Sequence, residues 1–328
     1  MKRSAWCIAV LAASWFPAVR LLAQTPMAPT PLPVPRDTFD AWMARLSNAG
    51  RWGAEDELGT LNLITPAKRR AAAQSVRDGV TVSLAREVAA GRDSTTLFPF
   101  RLRAYSRPFD STITAAVDSL SVNAHGLTRT HLDALAHIAY RGRFYNGVAL
   151  DQLAPGGARR LGLEAMQRGI VTRGVLVDLP RLRGVEYLPP GTTVTPADLE
   201  QWERQHRVRV EAGDVLLIRV GHGAPGAAAA APASGPHPSL AVWLRERGVA
   251  ALGSDGGNEA APSAVRGLSI SLHALAVAAM GMPLLDNLDL EEVAREAAAR
   301  GRPTFLFVAA PPRIRGATGT LINPLAVF

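Results

Sequence analysis

Apolar residues recur along the chain in two periods, and the switch between them marks out the elements. From Asp37 to Ser47 the spacing of Phe39, Trp42, Met43 and Leu46 is helical, and Gly50 follows as a stop. Thr65-Pro66 and Thr195-Pro196 each place a capping hydroxyl before a proline whose missing N–H costs nothing at the first helical position. They predict helices over 66–78 and 196–207, and further helical patterns cover 239–247, 271–280 and 289–300. Short β-branched runs predict strands at 80–84, 113–117, 175–179, 215–220, 249–252 and 304–308. No segment repeats at a solenoid period. The pattern predicts one α/β domain over 37–328, a mixed β-sheet or barrel-like β core flanked by helices. The tract 221–238, with its alanine run and prolines, is expected to be a surface excursion within it.

The first 36 residues do not fit that domain. Lys2-Arg3, an apolar stretch from Ala5 to Val19 and Ala23 as a small residue before a cleavage point have the layout of a secretory signal over 1–24. Pro17 and Arg20 interrupt the stretch as a bilayer span. Residues 25–36 hold five prolines in twelve positions and are expected to be an extended linker. These features predict a periplasmic or secreted protein without stable membrane insertion, an uncleaved anchor being the rival reading.

Composition narrows the chemistry. The 328 residues are 48% apolar and 20% charged, with 29 glycines and 24 prolines, as in a packed, loop-rich protein. Lys and Arg exceed Asp and Glu by 36 − 28 = +8, and removing Lys2, Arg3 and Arg20 leaves 8 − 3 = +5, a weak basis for nucleic-acid binding. The single cysteine, Cys7, lies in the signal, so the mature chain has no disulfide and no thiolate. Any metal must therefore be held by His, Asp, Glu and water.

Three of the seven histidines, His125, His131 and His137, fall within thirteen residues, where a random scatter would place roughly 0.3. In an extended segment, His131 and Asp133 face the same side and can chelate one cation. If a helix begins at Asp133, His137 lies one turn on and faces the same space. Imidazoles with a carboxylate suit Zn²⁺ or Mn²⁺ better than Mg²⁺ or Ca²⁺. The competing reading is a buried His–Asp pair with two surface histidines.

The string HLDALAH over 131–137, preceded by His125-Gly126 and Thr130, resembles the signature of the metal-dependent cyclase family that includes bacterial kynurenine formamidase and isatin hydrolase. The runs RWGAEDELGTLN (51–62), YNG (145–147), AGDVLLI (212–218), GSD (253–255), GMPLLDNL (281–288) and NPLA (323–326) are similar to landmarks of its longer members, in order. The resemblance implies a swivelling β/β/α-type fold. It also implies a one- or two-metal hydrolase with His131 and Asp133 as ligands and His137 as general acid/base. His273 and Asp286 occupy the places of a second ligand pair. Two departures stand out. Leu127 takes the position of the short enzymes' first ligand histidine, leaving a bulged loop to deliver His125, and Asp286 replaces their glutamate.

Trp52, Phe98, Phe100 and Tyr140 are candidates to line an aromatic substrate pocket, although ordinary core is the simpler role for any one of them. Asp255, closing an apolar strand, is either a partner of the metal histidines or a turn former. Gly221 to Gly226 matches G-x-G-x-x-G, but Pro225 and the lack of a following acid argue against a dinucleotide site. His222 and His237 in the excursion, and His206 at a basic helix end, are expected to be solvated. With no Gly-x-Ser-x-Gly elbow and no cysteine nucleophile, covalent acyl transfer has no agent.

These readings predict an enzyme that uses a divalent Zn or Mn ion to hydrolyse a C–N amide or lactam bond in a small aromatic or cyclic substrate. The alternatives are a cyclase or lactonase on the same scaffold, or an exported, non-catalytic binding protein for a small carboxylate ligand. A homo-oligomer, dimer or tetramer, is expected.

Overall fold

The computed structural model describes residues 33–88, 100–126, 128–224 and 232–328. The signal reading, Leu127 and Phe98 lie outside them. The main helices are α1 (Arg36–Arg45), α2 (Pro66–Gln74), α3 (Leu179–Arg183), α4 (Pro196–His206), α5 (Leu240–Arg247), α6 and α7 (Glu291–Arg300). Helix α6 starts as α over Ser271–His273 and continues as π over Ala274–Met280. The proline-led helices begin where their caps dictate: Thr65 Oγ1 accepts the Lys68 N–H, and Thr195 with Asp198 forms a capping box. No helix among the described residues is long and apolar enough to cross a membrane.

The principal strands are β1 (Thr81–Ser83), β2 (Arg101–Pro108), β3 (Thr114–Ser121), β4 (His131–Asp133), β5 (Ile170–Asp178), β6 (Val215–Arg219), β7 (Ala251–Ser254), β8 (Leu284–Asp286), β9 (Thr304–Ala309), β10 (Gly319–Leu321) and β11 (Leu325–Val327). Nine of them form one mixed sheet in the order β1-β11-β9-β5-β6-β7-β8-β4-β10. Its centre, β5-β6-β7-β8, is parallel, and the remaining pairs are antiparallel. The parallel strands β6 and β7 are buried throughout, as helix-covered parallel strands must be. The sheet and its helices enclose a single hydrophobic core that runs from Val34 to Phe328, which agrees with the expected single α/β domain with a mixed sheet. Strands β2 and β3 form a separate hairpin.

Several of the landmark runs turn out to be staples of this fold. The Asp56 carboxylate accepts the Gly59 N–H, the Asn62 amide and the Tyr145 hydroxyl at 2.9, 2.7 and 2.9 Å. Asn146 reaches back to the carbonyls of Gly53 and Ala54. Gly59 has φ +56°, and a Cβ there would overlap the Gly281 carbonyl, so the approach of these two turns excludes a side chain. Residues 51–62, 145–147 and 281 thus hold one junction together.

Candidate metal centre

The site is built on β4, the strand between β8 and β10. His131 and Asp133 are two residues apart and share a face of the strand. Across the antiparallel pair, Asp286 of β8 lies directly opposite His131, and Gly319 of β10 lies opposite Asp133. His273 comes from the start of α6.

Four of the side chains are deeply buried. The exposures of His131, Asp133, His273 and Asp286 are 5%, 1%, 7% and 8%. His131 Nε2 lies 3.6 Å from Asp133 Oδ1 and 3.8 Å from Asp286 Oδ2. His273 Nε2 lies 3.3 Å from Asp286 Oδ2 and 3.8 Å from Asp133 Oδ2. Tetrahedral N and O ligands at ordinary zinc bond lengths stand about 3.4 Å apart, and His131, Asp133 and Asp286 each place a ligand atom within 4.8 Å of the other two, the spacing of a cation site, with His273 against Asp286 beside it. Asp133 Oδ2 is buried without a hydrogen-bond partner, the condition in which a carboxylate oxygen calls for a cation.

Each ligand candidate is oriented from behind. His131 Nδ1 is 2.8 Å from the Arg129 carbonyl, which fixes a proton on that nitrogen and leaves Nε2 free to ligate. His273 Nδ1 is 3.1 Å from Glu259 Oε1, and the same oxygen accepts the His273 backbone N–H at 2.8 Å. Asp286 Oδ1 accepts from the Asn258 amide. Asn287 sends its amide to the carbonyls of Gly126 and Arg129, while its own carbonyl accepts the Thr130 hydroxyl, so it ties down the loop between His125 and His131. Glu259 and Asn258 were not recognisable as site residues, because nothing in their spacing distinguishes them from other loop residues.

The other two histidines stand nearer solvent, each 25% exposed. Their rings stack with centroids 3.7 Å apart and 3° between planes. His125 Nδ1 is 3.0 Å from Asp133 Oδ1, and its Nε2 is 3.2 Å from the Thr318 hydroxyl. His137 Nε2 lies 3.9 Å from the same Asp133 oxygen. The chain reaches His137 through a turn closed by its N–H on the Ala134 carbonyl at 2.9 Å, not through the expected helix. Asp133 therefore belongs to two metal-competent groups, His131-Asp133-Asp286 and His125-Asp133-His137.

The electrostatics follow from burial and crowding. Burial pushes the Asp133 carboxyl up, but the hydrogen bond from His125 and the surrounding imidazoles outweigh it and hold the group at about 2. Burial drives His137 down to about 4 against the pull of Asp133, so its imidazole is neutral at physiological pH. His273 is held well above its usual value because Asp286 and Glu259 overcome its burial, which means that without a cation this nitrogen keeps a proton. The buried carboxylates of Asp133 and Asp286 and the largely buried one of Glu259 concentrate negative charge here, which a divalent cation would neutralise.

The remaining candidates lie elsewhere. The Asp255 carboxylate accepts the N–H groups of Val220, Gly221 and His222 at 2.8, 2.8 and 3.0 Å, so it organises the end of β6 and touches no metal histidine. The Tyr140 hydroxyl donates to Asp40, and its ring meets Phe39 edge-on, an attachment of α1. Trp52 is half-buried beneath the Arg51 guanidinium, and Phe100 is half-buried at the foot of the hairpin. Neither His206 nor His237 is solvated as expected. His206 stacks on Trp202 and bonds its carbonyl, and His237 is buried against Ser239 at the start of α5. His222 is half-buried.

Fold and site together define an α/β protein with a buried His–Asp cluster able to hold a metal. The family model described as "Putative cyclase" matches residues 55–259, and the chain belongs to the cyclase family. A crystal structure described as a novel cyclase is 30% identical, superimposes with a TM-score of 0.77, and covers 87% of this chain and 99% of its own. Isatin hydrolase A from Labrenzia aggregata, bound to benzyl benzoate, is 21% identical over 78% of this chain and 94% of its own, with a TM-score of 0.53. Isatin hydrolase A from Ralstonia solanacearum is 24% identical over 80% and 97%, with a TM-score of 0.51. With these two the shared property is the fold. No curated protein matches.

Proposed function

We propose that this protein is an exported, metal-dependent hydrolase of a C–N amide or lactam bond in a small aromatic or cyclic substrate. The observation that carries the reading is the division of the site by depth: His131, Asp133, His273 and Asp286 are buried, whereas His125 and His137 are partly exposed around the same carboxylate. The deep set would hold Zn²⁺ or Mn²⁺, and the cation, when bound, supplies a Lewis acid that polarises a carbonyl and lowers the pKa of water. His137, neutral at physiological pH, accepts the proton of the attacking water at Nε2 and returns it to the leaving nitrogen. His125, stacked on that ring and bonded to Asp133 and Thr318, keeps the imidazole plane fixed during both transfers.

The test is turnover of N-formyl aryl amines, isatin-like lactams and aryl lactones by protein loaded with Mn²⁺ or Zn²⁺, with metal content measured on each preparation. Hydrolysis of a C–N substrate is expected, and His137→Ala should keep its metal while losing about 10²- to 10⁴-fold in rate. Turnover of the lactones alone would move the assignment to a lactonase. Tight binding of an aromatic acid with no turnover at all would favour the binding protein.

A further inference from the structure

A cavity of about 850 Å³ lies outside the metal centre, and no metal-centre residue lines it. That volume is in the range of small-molecule sites. Its walls come from the short ladder of Leu153–Ala154 with Gly157–Ala158, from Glu164 and Gln167, and from the loop 313–316. Backbone locks these walls together. The Ala158 N–H donates to the Gly316 carbonyl at 2.8 Å, and a Cβ on Gly157, whose φ is +115°, would stand 2.6 Å from the same oxygen. Both walls also lead to the turn that carries His137. The Thr318 carbonyl accepts the Ala134 N–H at 2.9 Å, and the Leu161 carbonyl accepts the Ala136 N–H at 3.0 Å.

Charge says what the cavity takes. Three exposed arginines line it, Arg159, Arg313 and Arg315, and none of their guanidinium groups has an acid partner among the described residues. The two acids in the lining are engaged elsewhere. Glu57 accepts Arg160 Nε at 2.9 Å and the Leu161 N–H at 2.8 Å, and Glu164 accepts the Gly316 N–H at 2.9 Å. With Glu57 balanced by Arg160, the lining keeps an uncompensated charge of 3 − 1 = +2. Arg159 and Arg315 each stand one residue from the Ala158–Gly316 bond, so rigid backbone holds the stems of two of the three cations. Leu153 and Ile314, neighbours in sequence of lining residues, are 46% and 50% exposed, which sets apolar surface beside the charge. An inorganic ion would use the charge alone, whereas an organic anion uses both. Arginine forks take carboxylate and phosphate oxygens in pairs. We infer that this cavity is a second ligand site, for a small organic polyanion whose carboxylate or phosphate groups bridge Arg159, Arg313 and Arg315.

The inference is independent of the reaction proposed above. It rests on groups that the metal centre does not contain, and it is read by binding without turnover.

The experiment is calorimetric titration of the metal-loaded protein with benzene disulfonate, a rigid dianion that is a poor ligand for divalent metals. Saturable binding of one equivalent per chain is expected. Arg313→Ala with Arg315→Ala should weaken it about tenfold or more, and Arg159→Ala should weaken it as a single change. Arg313→Lys with Arg315→Lys keeps the charge but loses the forks, and should restore only part of the affinity. Arg204→Ala with Arg295→Ala removes the same charge from exposed positions on α4 and α7 and should leave the affinity unchanged. Displacement of the probe by hexanedioate would identify a carboxylate ligand, and displacement by glycerol phosphate a phosphate ester. No saturable binding, no loss in the cavity variants, an equal loss in the α4/α7 variant, or displacement by neither anion overturns the inference. So does loss of binding once the metal is removed, which would put the probe on the cation.

Discussion

The ring of His125 occupies the space that a side chain at Gly319 would fill. Gly319 lies opposite Asp133 in the β4–β10 pair, and a Cβ on it would stand 2.3 Å from His125 Cε1 and 2.8 Å from Nε2. A strand glycine at close approach of another group is thereby explained. Gly319→Ala should push the imidazole off Asp133 and Thr318, and because its Cβ would also stand 2.8 Å from the Leu132 carbonyl, β10 must shift slightly against β4. Its expected phenotype is that of His125→Ala: retained fold by circular dichroism and strongly reduced turnover. A Gly319→Ala enzyme with wild-type rate would show that His125 has no part in the chemistry.

Glu259 orients His273 through Nδ1 and also accepts its backbone N–H. A carboxylate behind a metal histidine fixes the tautomer and raises the basicity of the ligating nitrogen. Glu259→Gln should therefore lower metal affinity by about 10- to 100-fold, read by chelator competition without any substrate. Unchanged affinity would remove His273 from the ligand set.

How much of this was legible depended on whether the signal was local. The His131-x-Asp133 pair reads directly because strand periodicity alone puts both groups on one face. The proline-led starts of α2 and α4 read equally well, their caps being two-residue signals. The partner carboxylate Asp286 could be placed only through the family resemblance, since its position opposite His131 is set by strand pairing over 155 residues of sequence. Glu259 and Asn258 left no pattern at all, because loops bring them in. The strands β4, β8, β10 and β11 are three residues each, too short for a period to show. Asp255 ends an apolar strand as expected, but its turn-forming role prevailed because three backbone N–H groups converge there.

Burial raises the Asp255 carboxyl to about 6, against the pull of the three N–H groups and Arg219. Its folded pKa thus lies above the unfolded value of 3.8, so its contribution to stability is full below pH 4 and is lost as pH rises through 6. The shift corresponds to at most about 3 kcal/mol. Thermal unfolding of metal-free protein should show this component as a fall in Tm between about pH 4 and 6. The fall should be absent from Asp255→Asn, which should also be less stable overall because its amide group meets N–H donors. A variant with the same pH slope as wild type would place the titration elsewhere.

The last prediction concerns how many cations the site holds. Asp133 is common to both metal-competent groups, and the single cysteine, Cys7, lies outside the described residues. Asp133→Ala should therefore abolish metal retention altogether, and elemental analysis would show no bound equivalent. Asp286 belongs only to the buried group, opposite His131, and Asp286→Ala opens that buried cage on one side. If the cation resides in that cage, Asp286→Ala loses metal to the same extent as Asp133→Ala. His137→Ala, which leaves all four buried donors intact, then keeps a full equivalent. A dinuclear centre behaves differently, because Asp286→Ala and His137→Ala would each lose one equivalent of two. The depth of the four buried donors and the exposure of His125 and His137 lead us to expect the first pattern, one tightly held ion per chain. Two equivalents in wild type, with one surviving in Asp286→Ala, would place a second ion between His125 and His137 and remove His137 from the proton-carrying role.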